Sequence, residues 1–179
     1  LDQQIKKLQQ MKKWMVQRTR KIQAIQGLRT EEISIQTFPE RYYLYASVSP
    51  DDEWEYYQKT GEMIFELERE GKQMDYDLAY IQHEENLACG LYDVYDTAGL
   101  LVEEKLNKPH CLTFPAGEYL TAYHVGHWNT VSEAYERLLA YEKTKNLRTD
   151  DTYLEHFVVD NFVVDSIDEF VTEISVRLV

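Results

Sequence analysis

The stretch DTYLEHFVVD, residues 151–160, sets an acid among rings. If the stretch is extended, Tyr153, Glu155, Phe157 and Val159 share one face, because side chains alternate along a strand. A carboxylate in that company is costly unless compensated, so Glu155 must protonate, pair, or await a cation. The plainer alternative is an edge strand on which Glu155 faces water, the usual state of a glutamate. Glu173, in TEISV, is a second acid on an expected strand. Other constellations are weaker. His124 and His127 are three apart with no third ligand at a readable spacing, so no metal site is expected. His110 beside Cys111 has nothing to place a base and an orienting acid with it. There is no Gly-rich phosphate loop, and no cofactor is expected.

Positioning such groups falls to the elements around them. FPERYYLYA (38–46) and FPAGEYLTA (114–122) share Phe, Pro, Tyr, Leu and Ala at a constant shift of 76 residues. From Ile33 the patterning predicts strand over ISIQTF and RYYLYASVS. A helix comes next, capped by Ser49 or Asp51, with Trp54, Tyr57, Met63, Ile64 and Leu67 as its apolar side and Gly71 as its stop. YDLAYIQ and LACGLYDVYD read as two further strands. The second half repeats the order. CLTFPAGEYLTAYHVG is strand. NTVSEAYERLLAYEKTKN is helix, capped by Asn129 or Thr130, with Ala134, Tyr135, Leu138, Leu139 and Tyr141 inward. TYLEHFVVD and EFVTEISVRLV are strands. Leu78 and Leu154 are again 76 apart, which sets Ala79 against Glu155, so the acid breaks the repeat. The expected fold class is α+β: a long N-terminal helix, then a duplicated βαββ antiparallel-sheet domain over 31–179. Its halves span about 31–100 and 110–179. A seam between related halves is where a small-molecule pocket forms.

The first thirty residues differ in kind. They carry eight Lys/Arg against Asp2, a net of +7, whereas residues 31–179 carry 11 Lys/Arg against 31 Asp/Glu, a net of −20. The acidic part repels nucleic acid and attracts cations. Leu1, Leu8, Met15 and Ile22 recur every seven residues, and Ile5 and Trp14 widen the stripe, so 1–27 reads as a basic heptad helix ended by Gly27. The chain opens inside this pattern, at a seam position and without an initiator Met. The expectation is a dimerisation helix cut from something longer, making a homodimer. The two cysteines, Cys89 and Cys111, form no framework. No apolar run is long enough to span a bilayer and no signal peptide is visible, so a cytoplasmic protein without membrane contact is expected.

FPAGEYLTAYHVGHW, YERLLAYE, YLEHFVVD and the terminal TEISVRLV, in that order after a duplicated βαββ pattern, resemble the GyrI-like effector-binding domain. The basic heptad helix before it resembles the linker through which MerR-family transcription regulators dimerise. The resemblance implies the ligand-sensing part of such a regulator, whose DNA contact belongs to an N-terminal domain missing here. It also implies a small-molecule effector of the multidrug type, a lipophilic cation, met by a strand glutamate that matches Glu155. Aromatic faces suit such a cation. Tyr119, Tyr123, Trp128 and Tyr45, with Tyr153 and Phe157, are the expected walls, and Trp54 is the symmetric partner of Trp128. Glu173 matches a common family residue and ranks below Glu155. The alternative is a stand-alone GyrI-like hydrolase of small reactive molecules, in which Glu155 activates water beside a Tyr hydroxyl.

Overall fold

The computed structural model describes residues 2–25, 30–50, 52–71, 76–102, 104–160 and 164–179. Leu1, Gly27 and Asp51, expected as a seam position, a helix stop and a cap, lie outside them. Helix α1 (Asp2–Ile25) contains no Gly or Pro and exposes Ile5, Leu8, Met11 and Met15. Then come β1 (Ser34–Phe38), β2 (Arg41–Ser47), α2 (Glu53–Arg69), β3 (Tyr76–His83), α3 (Glu84–Ala88) and β4 (Thr97–Val102). The second half supplies β5 (Cys111–Phe114), β6 (Gly117–Val125), α4 (Ser132–Lys145), β7 (Thr149–Val159) and β8 (Val171–Leu178).

The strands form one antiparallel sheet in the order β1-β6-β8-β7-β3-β4-β2-β5. The two halves meet where β3 pairs with β7, and the order is symmetric about that joint. The leading strands are exchanged: β1 pairs with β6 of the other half, and β5 with β2. Phe38-Pro39 and Phe114-Pro115 stand at the ends of these exchanged strands. Proline cannot donate to a ladder, so it ends pairing there and lets the chain cross. The repeated FP motif therefore marks two reciprocal crossings.

Alternation decides what each face buries. Leu44 and Leu100 pack with Met63 and Leu67 of α2, while Leu120, Ala122, Ile174 and Val176 pack with Ala134, Tyr135 and Leu138 of α4. The opposite face carries Tyr43, Ala79, Ile81, Leu101, Phe114 and Leu154. There Arg41 of β2 reaches Glu173 (3.6 Å) and Ser175 (3.2 Å) of β8, a strand that is not its neighbour. The sheet thus curls until distant strands meet over this face. Tyr43 lies directly over Gly99, where any side chain would fall into its ring.

Several expected elements take another form. LACGLYDVYD is not a strand: Leu87 and Ala88 close the short helix α3, Gly90 turns at φ 74°, and the strand is TAGLLV. Its alternating apolar residues imitate a strand, but the acids opening α3 and the positive φ of Gly90 favour helix and turn. CLTFPAGEYLTAYHVG divides at Pro115 into β5 and β6. Asp52 caps α2, accepting from the Glu55 amide at 3.0 Å. The inward stripe of α2 is Tyr56, Thr60, Met63 and Leu67, leaving Trp54 76% and Tyr57 56% exposed. A helical stripe displaced by one position selects a different aromatic.

The 76-residue shift holds for Tyr43 with Tyr119 and Leu44 with Leu120, and the helix ends keep it, Arg69 to Lys145. It fails between β3 and β7. Leu78 packs with the α2 core, whereas Leu154 faces away from the helices. β7 has register irregularities between Thr149 and Tyr153 and between Phe157 and Val159, and Asp151 adopts φ 61°. One extra residue at a bulge exchanges the faces of the residues beyond it. Ala79 is therefore not the counterpart of Glu155.

Candidate functional site

A cavity of about 690 Å³ opens between the starts of α2 and α4, over the joint of β3 and β7. β7 brings Glu155 and Phe157 to it, and β3 brings Tyr80, paired in register with Glu155. Tyr56 and Tyr57 come from α2, and Trp128 from the 3-10 turn Trp128–Thr130 before α4. Tyr95 comes from the turns between α3 and β4. Asp52, Asp93 and Asp160 also line the cavity, and among the described residues no Lys, Arg or His does.

The aromatic residues form one assembly. Tyr80 stacks on Tyr56 with centroids 4.6 Å apart, lies 4.2 Å from Tyr95, and meets Phe157 edge-on at 5.3 Å. Glu155, 1% exposed, sits behind it. The hydroxyls of Tyr95 and Tyr135 both donate to its Oε2, each at 2.9 Å. Oε1 has no hydrogen-bond partner among the described residues. Burial pushes the Glu155 pKa up to about 7, and the two phenols hold it back. Burial likewise raises Tyr95 and Tyr135 well above the ordinary phenol range, with the Glu155 charge adding to it, and lifts Tyr56 to about 12. At neutral pH these phenols remain neutral donors. Burial holds Glu155 toward its protonated form, and a cation entering the cavity would draw it into the charged form.

The profile of the GyrI-like small molecule binding domain family matches residues 31–179. The chain belongs to that family. No curated protein sequence matches it. Among solved structures, the chain resembles EcmrR in the EcmrR–DNA complex of EcmrR-RPo: 13% identity and TM-score 0.67, over 99% of this chain and 68% of that one. The EcmrR C-terminal domain gives 14% and 0.61, over 83% of this chain and 97% of that one. A hydrolase encoded by lin2189 from Listeria innocua gives 12% and 0.56, over 83% and 92%. At such identities the likeness is one of fold.

Within the GyrI-like domain the expected wall residues separate by face. Glu155, Phe157 and Trp128 line the cavity. Tyr153 shares their face but lies under α4, its ring 6.1 Å from Tyr135 and its hydroxyl donating to Glu142 at 3.1 Å. Tyr45, Tyr119 and Tyr123 lie on the opposite face, and Trp54 is outside the lining. Tyr45 is parallel to Tyr43 at 6.1 Å and edge-on to His110 at 5.5 Å. Tyr119 donates to the Pro115 carbonyl at 2.7 Å beneath the Arg41 guanidinium. Tyr123 donates to Glu173 at 2.9 Å. Glu173 belongs to a buried charged cluster on that face, with Arg41, and with His156 between it and Asp77. Burial works against the Glu173 carboxylate, but His156, Arg41 and Tyr123 outweigh it and lower its pKa.

Among the residues not expected at the site are Tyr56, Tyr80 and Tyr95 on its walls and Tyr135 behind Glu155. Tyr80 is visible in the sequence as a strand aromatic facing the same way as Leu78. Tyr135 shows there only as an inward-packing ring, without a polar role. Tyr95 is hidden by the strand-like pattern of its segment.

Proposed function

We propose that this GyrI-like domain is the ligand-sensing part of a MerR-like transcription regulator, binding a lipophilic cation in the cavity with Glu155 as counter-charge. The observation that carries this reading is a buried carboxylate, open at Oε1, among aromatic faces in a cavity whose other ionisable walls are acids and phenols. Ring faces attract a cation that has shed water, and so does the carboxylate. Trp128, Tyr80 and Phe157 are the walls on this reading. α1 pairs with a second copy through its exposed apolar stripe, and a separate DNA-binding domain of the whole regulator reads the promoter. Likeness to EcmrR, seen bound to DNA, supports that assignment. Ligand controls DNA contact only by binding two arrangements of the regulator unequally.

Calorimetric titration of an aromatic cation and its neutral isostere into wild type and Glu155→Gln tests the reading. The cation loses roughly tenfold to a hundredfold in affinity in the variant and the isostere much less. Equal losses, or no binding of the cation to wild type, would refute it. A second reading, hydrolysis, draws on the raised pKa of Glu155 beside Tyr95 and Tyr135. It requires Glu155→Gln to bind substrate and stop turnover.

A further inference from the structure

We infer that the cavity selects cations carrying an N–H donor, protonated amines or amidinium-type groups, over permanently quaternary cations of the same shape. The inference rests on the cation-binding reading above and deepens it. It starts from the two oxygens of Glu155. Oε2 is saturated by two phenols from different elements, Tyr95 from the loop before β4 and Tyr135 from α4. These bonds fix the orientation of the carboxylate. Oε1 then remains as an acceptor with no hydrogen-bond partner among the described residues, on a buried residue that lines the cavity.

An acceptor that a ligand shuts off from water without replacing the lost bond carries a desolvation penalty, and a charge-assisted N–H···O bond removes it. A quaternary ammonium or phosphonium brings positive charge but no donor. It can meet the rings and the diffuse charge of Glu155, yet it leaves Oε1 unmatched. The surrounding walls do not supply the missing donor: no Lys, Arg or His lines the cavity among the described residues. The Tyr80 ring is held in place by Tyr56, Tyr95 and Phe157. The donor must come with the ligand. Discrimination of this kind is large, because a site built around a hydrogen bond rejects analogues that lack it far more than it rejects a missing methylene.

The test uses a matched pair, dimethyl(naphthylmethyl)amine in its protonated form and the trimethyl quaternary ion made by methylating it. Both are titrated by calorimetry into the full chain near neutral pH, and into Glu155→Gln after its melting transition shows it folded. Wild type is expected to bind the protonated amine at least about tenfold tighter, and the variant to bind the two within about twofold of each other. Equal or tighter binding of the quaternary ion by wild type overturns this inference and leaves the cation-binding reading standing. A preference that persists in Glu155→Gln also overturns it, since the N–H is then recognised elsewhere. Binding of neither ion by wild type overturns both. The wild-type comparison stands even if the variant does not fold.

Discussion

At Glu155 two effects oppose each other: burial favours the protonated acid, and the Tyr95 and Tyr135 hydroxyls favour the carboxylate. Burial wins, and the folded pKa of about 7 lies above the ordinary 4.5. The folded state therefore keeps a proton that the unfolded chain has released, and stability falls as pH rises from about 4.5 to about 7. The loss should be about 3 kcal/mol, at 1.4 kcal/mol per unit. Urea unfolding of wild type and Glu155→Gln across that window checks it: the variant lacks this slope and is the more stable of the two above neutrality. On the proposed cation-binding reading the sign is opposite, because the ionised form is the one that attracts the cation. Apparent affinity should rise about tenfold between roughly pH 6 and pH 8, as the ionised fraction does. Tyr95→Phe removes one donor to Oε2, raises the Glu155 pKa further, and should weaken cation binding about threefold to tenfold near neutral pH. Calorimetry with a fixed cation measures that loss.

Among the elements, α2 shows how one step around a helix reassigns aromatic roles. Tyr56 is in the core and stacks on Tyr80, while Trp54 points to water. Tyr56→Ala should cost about 3–5 kcal/mol in urea unfolding, and Trp54→Ala less than about 0.5 kcal/mol. The same geometry decides fluorescence. An electron-poor aromatic cation should quench through Trp128, so Trp128→Phe removes the quenching and Trp54→Phe leaves it. The reverse result would misplace the site. β4 offers a stricter test, because Tyr43 occupies the space beside Gly99. Gly99→Ala forces that ring or the β2–β4 pairing to move, and thermal unfolding should show a loss above about 3 kcal/mol.

Across the whole molecule, the curled face joins the halves through charge. His156 of β7 lies 2.9 Å from Asp77 of β3 and 3.8 Å from Glu173 of β8. Burial works against the imidazolium, but Asp77 and Glu173 outweigh it and raise the His156 pKa above 6.5. Its contribution is therefore complete below pH 6.5 and lost as pH rises through the raised value. His156→Gln should flatten the alkaline side of the stability profile in calorimetry, leaving the Glu155 slope in place. At the other end of the chain, Leu8 and Met15 are 65% and 59% exposed on α1. If they form a dimer seam, a Leu8→Glu, Met15→Glu double variant sediments as a monomer where wild type is a dimer, with the melting of the sheet domain unchanged.

Local chemistry in the sequence determined the longer helices, most strands, the duplicated order and the suspicion attached to Glu155. Spacing, caps and breakers act over a few residues, and Pro39 and Pro115 mark the crossings without any knowledge of where the chain goes. Tertiary structure decided three further matters. The exchange of β1 and β5 is a long-range pairing that no local pattern encodes. The face assignment of Tyr45, Tyr119 and Tyr123 turns on parity, and the bulges in β7 change parity between the halves without altering composition. The partners of Glu155, Tyr95 and Tyr135, are 60 and 20 residues away. A buried acid can be suspected from its own strand, but what satisfies it is set by whatever the fold brings across the cavity.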